Sequence, residues 1–195
     1  MCGLLLASSL TLAQDIRSNT EGINISVGGG VGNWSSSYFQ NLDEAEPLGV
    51  GAGVRIGYGF NQRFELFARY DYHHFILKNE WDTYQITNVG AGLRVNFGGT
   101  LQRTRPYLEV GYSSVGLLID PVLFNGNLFE YRLKGPALAL GGGVNYFATP
   151  RLAIQAAANG TFGKFNSFQI SGTGIEDRPD VRTLKFSLGI SFYFN

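Results

Sequence analysis

Residues 48–60 read Leu-Gly-Val-Gly-Ala-Gly-Val-Arg-Ile-Gly-Tyr-Gly-Phe, with an apolar side chain at every second position and glycine or a charge between. A repeat of two is the repeat of a β-strand, whose successive side chains point to opposite faces, and it excludes a helix, which repeats every 3.6 residues. After Asn61-Gln62-Arg63 the pattern resumes, with Phe64, Leu66, Ala68, Tyr70 and Tyr72 set against Glu65, Phe67, Arg69, Asp71 and His73. It recurs in Ile23 to Val31, Val89 to Phe97, Leu108 to Tyr112, Leu138 to Tyr146 and Leu152 to Ala158, and most clearly in Leu184 to Phe194. The expectation is an all-β chain of about eight strands of ten or more residues, beyond the ~5–6 common in soluble sheets and near the ~9–11 of a tilted membrane-crossing strand. Tyr84 and Ile86 are out of step with Val89 and its successors, which predicts a bulge near Thr87-Asn88 or the end of the membrane zone there.

The connections alternate in length. Short turns are expected near Asn61-Gln62, Gly98 to Thr104 and Ala148 to Arg151; long polar segments near Ser35 to Pro47, Leu77 to Asp82, Asp120 to Arg132 and Asn166 to Asp180. Short turns at one end and long loops at the other are the layout of an outer-membrane barrel, with both termini at the short-turn, periplasmic end. Phe60, Phe64, Phe97, Tyr107, Tyr146, Phe147, Phe192 and Phe194 flank the short turns and are read as a periplasmic aromatic girdle. Trp34, Tyr38, Phe75, Trp81, Phe162 and Phe165 would form a looser outer one.

Residues 2–13 are apolar or small throughout. A run of ~12 such residues suits the hydrophobic part of a signal peptide and is too short for a membrane helix. The expected division is a signal peptide over 1–13, its cleavage after Thr11-Leu12-Ala13, and a barrel over 14–195. No Lys or Arg precedes the run, which leaves room for a start upstream of Met1. Elsewhere no stretch reaches ~18 uninterrupted apolar residues, so a chain like this enters a bilayer only as a closed sheet, whose backbone groups are all paired.

Polarity decides which face is inside. Charged residues make up 15% of the chain, against ~25% for soluble domains. The face opposite the large apolar residues is mostly Gly, Ala, Ser and Asn, a poor coat for water. The apolar face carries too many large side chains for the interior of a small barrel of lipocalin type. Turned inside out, lipid solvates the large residues and the small ones let a narrow lumen close. At this point the chain resembles the small eight-stranded outer-membrane barrels of the OmpA transmembrane-domain and OmpX type. The likeness is carried by LGVGAGVRIGYGF, RPYLEVGYSS and the closing LKFSLGISFYFN. It implies an eight-stranded antiparallel up-and-down transmembrane β-barrel, outer-membrane lipid as its surroundings, and recognition of the last strand by the barrel-assembly machinery. Phe192 and Phe194 would carry that signal, although Asn195 stands last.

Arg55, Glu65, Arg69, Asp71, Arg94, Glu109 and Lys185 fall in the inward phase, with Arg94 and Glu109 at similar heights on adjacent strands and Arg55 across from Arg69 and Asp71. Buried charges must be paired, because an orphan costs several kcal/mol. The expectation is therefore a polar plug of ion pairs, with a narrow gated channel as the alternative. Adjacent His73 and His74 cannot form a helical zinc pair. With Asp71, Ser113 and Ser114 they suggest a lipid-modifying enzyme only remotely, since strand 4 separates strands 3 and 5 and no Gly-x-Ser-x-Gly elbow occurs. Cys2 is the sole cysteine, and net charge is zero with no basic stripe, which argues against disulfides, a cofactor or nucleic acid. A monomeric, non-enzymatic barrel whose role lies in envelope structure or in a loop-borne binding surface is the reading these observations favour.

Overall fold

The computed structural model describes residues 18–38, 48–76, 83–124 and 127–194. The leader expected over 1–13, Trp81 and Asn195 lie outside them. Alternation becomes strand wherever it was read: β1 (Gly22–Ser35), β2 (Leu48–Gly59), β3 (Phe64–Ile76), β4 (Thr83–Asn96), β5 (Thr104–Phe124), β6 (Asn127–Phe147), β7 (Leu152–Lys164) and β10 (Asp180–Phe194). Between the last two lies a hairpin of β8 (Ser167–Ile170) and β9 (Thr173–Ile175).

Every pairing is antiparallel. Neighbours follow in the order β5-β4-β3-β2-β1-β10-β7-β6, and β5 pairs with β6 to close the ring. The result is a closed eight-stranded up-and-down barrel that leaves no edge in the wall, as a bilayer requires. β8 adds to the far part of β6, pairing Lys134 with Ser167 and Tyr131 with Ile170. Two segments expected as exposed loops are thus largely strand: Asp120 to Arg132 prolongs β5 and β6 to 21 residues each, and Asn166 to Asp180 folds back as the hairpin.

The outward set is Ile23, Val27, Ile56, Leu66, Leu93, Leu108, Leu140, Ile154, Phe186 and Leu188 with their alternating companions, all exposed to the surroundings. In water such a surface would aggregate; in hydrocarbon it is the expected coat.

The bulge expected near Thr87-Asn88 is absent. β4 keeps an unbroken register with β3 and β5 from Tyr84 to Asn96. Among the described residues a register shift lies between Ile119 and Val122, where β5 rises with β6. Tyr84 and Ile86 looked out of step because the interior itself changes character. Toward the long-loop end the inward positions become apolar, and Trp34, Phe75, Tyr84, Ile86, Val115, Leu117, Ile119, Leu133, Phe165, Phe168 and Val181 form one buried cluster. The strand keeps its phase; the lumen changes from polar to apolar.

Candidate functional site: the filled lumen and its two caps

At mid-height the lumen holds the charges that alternation placed there. Arg94 on β4 stands directly opposite Glu109 on β5, and its guanidinium donates to Glu109 Oε2 from Nη2 at 3.0 Å and from Nε at 3.2 Å. Arg69 Nη1 donates to the other oxygen of Glu109 at 2.7 Å and to Asn159 at 3.1 Å. Glu109 is therefore held by two arginines, one for each oxygen, the arrangement a buried carboxylate needs. Asp71 accepts from Lys185 Nζ at 2.5 Å and lies 3.8 Å from Arg69 Nε. Arg55 pairs with Glu65 and also donates to Asn24 and Ser26 at 3.1 and 3.2 Å.

Arg55 and Arg69 face each other across β2 and β3. Both charges lie over Phe67, with one guanidinium 5.7 Å and the other 5.6 Å from its ring centroid. Arg94 lies 3.7 Å from the ring centroid of Tyr107. Cation–π contact of this kind supplements ion pairing where water is scarce.

Two of the expected girdle residues are part of this interior. Tyr107 is 2% exposed, accepts a hydrogen bond from Gln155 Nε2 at 2.6 Å, and faces the lumen. Phe147 is fully buried against Ala153 and Tyr193. Both share the parity of inward neighbours, Tyr107 with Glu109 and Phe147 with Asn145, and parity overrides closeness to a turn. Phe60, Phe64, Phe97, Tyr146, Phe192 and Phe194 do face outward. Of the looser outer set, Phe162 faces outward and Tyr38 lies exposed, whereas Trp34, Phe75 and Phe165 are inside the apolar cluster for the same parity reason.

The short-turn end is closed by a residue that the sequence reading passed over. Arg105, wholly buried, donates from Nη1 to Thr20 Oγ1 at 3.1 Å and to Gln62 Oε1 at 3.0 Å, and from Nη2 to the Gln62 carbonyl. Ser18 bonds through its amide to Thr100 at 2.7 Å. The segment before β1 is thus stitched to the turns β2–β3 and β4–β5. The parity shared by Arg105, Tyr107 and Glu109 was the available signal.

The long-loop end is closed by rings. Phe75 stacks on Tyr84 at 4.6 Å with planes 7° apart, and Trp34 meets Tyr84 edge-on at 5.7 Å. Among the charges lies a small cavity of about 60 Å³, lined by Arg55, Asp71, Glu109 and Lys185, and between them and the apolar cap a second of about 30 Å³ beside His73, Asn88 and Thr161. Their size suits a few waters, each needing ~10–15 Å³.

His73 is enclosed beneath Phe75, ring centroids 6.5 Å apart, and the Ser113 hydroxyl points to the Ala137 carbonyl. No group of His, Cys, Asp and Glu suited to a metal occurs among the described residues.

The fold has known counterparts. The chain is similar to Neisserial surface protein A (TM-score 0.68, 18% identity, 89% of this chain and 98% of that one). It is also similar to OprG from Pseudomonas aeruginosa (TM-score 0.57, 17% identity, 92% and 99%) and to Ail, the attachment invasion locus protein of Yersinia pestis (TM-score 0.55, 17% identity, 88% and 99%). At these identities the likeness speaks for the fold alone. No curated protein matches the sequence significantly. The model of a family described as the outer membrane protein beta-barrel domain matches residues 2–194; closed wall, lipid-compatible coat and polar lumen agree with that match, and the chain belongs to this family.

Proposed function

We propose that this chain is a sealed, non-enzymatic barrel of the outer membrane, with its termini on the periplasmic side, that presents its long-loop end as a binding surface. The observation that carries the reading is the filling of the lumen. Ion pairs occupy its middle, Arg105 and its partners one end, and an apolar cluster of packed rings the other. An eight-stranded barrel has room for side chains and little more, and here the inward side chains use that room. What projects from the membrane is then left to act: β5 and β6 extended, with β8 and β9 added to them. Its ligand is not written in its residues; the attachment role in the name of Ail is compatible with a surface role here.

Planar-bilayer recording tests the reading. The purified barrel is expected to show no conductance steps, and reproducible steps would favour the second reading, a narrow gated path. That alternative draws on the two cavities, which share Arg69, Asp71, His73, Asn159 and Lys185 in their walls and so line a partial polar path. Phe75, Tyr84 and Trp34 stand across its outer end.

A further inference from the structure

Charge is unevenly distributed around the outside of the long-loop rim. On the outward face of β6, Arg132 and Lys134 stand above the apolar Leu138 and Leu140; on β7, Lys164 stands above Phe162; on β10, Arg182 stands above Leu184. All four cations are exposed and sit on three neighbouring strands. On β1, which adjoins β10, and on β3 and β4, across the barrel, the outward rim positions are Asn33, Ser35, His74 and Gln85, none of them an acid or a fixed cation.

The register brings the cations together. The Asn166 amide donates to the Lys134 carbonyl at 3.0 Å, which sets Lys134 diagonally from Lys164, and long side chains at diagonal positions reach one another. Of the acids nearby, Glu130 pairs with Arg132, Glu176 is exposed, Asp177 accepts from the Tyr38 hydroxyl at 2.9 Å, and Asp180, the register partner of Lys164, pairs with Arg182 at 3.5 Å and accepts from the Ser37 hydroxyl and amide at 2.5 and 2.9 Å. Lys134 and Lys164 have no carboxylate partner among the described residues.

Further down the same face the wall is concave. Gly29, Gly142, Ala156 and Ala158 floor an apolar groove of about 590 Å³, and Phe186 and Leu188 form one bank. On β7 its lining ends at Ala158; above that the Phe162 ring folds over Gly160, 3.1 Å from where a Cβ would stand, and Lys164 follows two residues beyond Phe162. A free anion would account for the cations and not for the groove; an uncharged lipid would do the reverse.

We propose that the face formed by β6, β7 and β10 binds a phosphorylated lipid of the surrounding leaflet, its phosphates on Lys134, Lys164, Arg132 and Arg182 and an acyl chain in the groove along Ala156 and Ala158. The inference rests on the reading of the barrel as membrane-embedded with its long-loop end outward. Cations at a membrane surface act on anionic headgroups in this way.

The full chain, refolded in neutral detergent, is titrated with lipid A, a diphosphorylated acylated disaccharide, and bound lipid is counted by native mass spectrometry. Lys134→Gln with Lys164→Gln is expected to weaken binding by about thirtyfold, and Arg63→Gln with Arg151→Gln, in short turns at the opposite end, to leave it unchanged. Ala156→Leu with Ala158→Leu fills the groove from the lipid side and is expected to weaken lipid A alone. Equal affinity for dephosphorylated lipid A, or no loss in the lysine pair, overturns the site; so does inorganic phosphate binding as tightly as the lipid. Insertion into neutral phosphatidylcholine vesicles with heat-modifiable gel mobility is scored separately. Its failure counts against the membrane reading, whereas its success with lipid binding indifferent to the lysines removes only the site.

Discussion

Arg94 and Glu109 stand directly opposite each other on β4 and β5, 3.0 Å apart at their charged ends, with the guanidinium 3.7 Å from the Tyr107 ring centroid. The lumen contains more such cations than acids: Arg55, Arg69, Arg94, Arg105 and Lys185 against Glu65, Asp71 and Glu109. Glu109 and Asp71 each therefore serve two cations, and Arg105 is held by Thr20 and Gln62 instead.

Glu109→Gln should be among the most destabilising changes in the protein, since it leaves both Arg94 and Arg69 without their carboxylate. Removing one member of a buried ion pair costs about 3–5 kcal/mol. Urea unfolding of the barrel in vesicles measures it. The double variant Arg94→Met with Glu109→Gln should lose less than the two single losses summed; additive losses would mean that the pair is solvated.

The apolar cap should respond to truncation as a protein core does. Phe75 is buried and stacked on Tyr84, so Phe75→Ala is expected to cost about 3–5 kcal/mol by transfer and cavity terms. Leu188→Ala, on the lipid side and well exposed, should cost far less. Similar losses in the same unfolding assay would mean that the cap is loosely packed.

The seam between first and last strand depends on glycine. A Cβ on Gly30 would run into the Phe186 carbonyl oxygen and lie 2.8 Å from the Ser187 Cα. Backbone there cannot yield without parting β1 from β10, whose register runs from Ile23–Phe194 to Ser35–Arg182. Gly30→Val should abolish the heat-modifiable, compact gel form, while Gly174→Ala in β9, with open space around it, should preserve it. A compact Gly30→Val barrel would show that the seam can shift register.

Asp180 offers a pH test outside the membrane. Its partial burial raises the carboxyl, but the Ser37 hydroxyl and amide and Arg182 outweigh this and hold it below its ordinary value. A depressed carboxyl contributes stability above its unfolded pKa, ~3.9, and loses it only as pH falls through the lower folded value. The contact between Ser36-Ser37 and β10 should therefore persist through pH 5. An NMR titration should place the Asp180 midpoint below ~3.9, and Ser37→Ala should raise it. A midpoint unmoved in that variant would rule the hydroxyl out as its cause. In stability the tether is worth less than about 1 kcal/mol, being largely exposed to solvent.

Much of the fold was legible because a strand exposed to different media on its two faces must alternate, and alternation survives in any sequence window. Arg94 and Glu109 could be matched by counting from their shared turn. Parity also held information that proximity to turns obscured: Tyr107, Phe147, Trp34, Phe75 and Phe165 are inward by count, whatever their chemistry. The apolar cap was harder to see. In Tyr84 and Ile86 an apolar residue on an inward position imitates a slip in register, and only neighbouring strands supplying Val115, Leu117 and Leu133 show that it is a core.

The sequence by itself determined strand phase, the lipid-facing coat and the set of buried charges, because these depend on side chains one or two positions apart. Tertiary structure alone decided that Arg69 reaches Glu109 two strands away, that Lys185 finds Asp71, that Arg105 closes one mouth and packed rings the other, and that four cations gather on one side of the rim. Ring closure sets those relationships, placing β1 beside β10 and β5 beside β6, and no local pattern encodes which side chains then meet across the lumen.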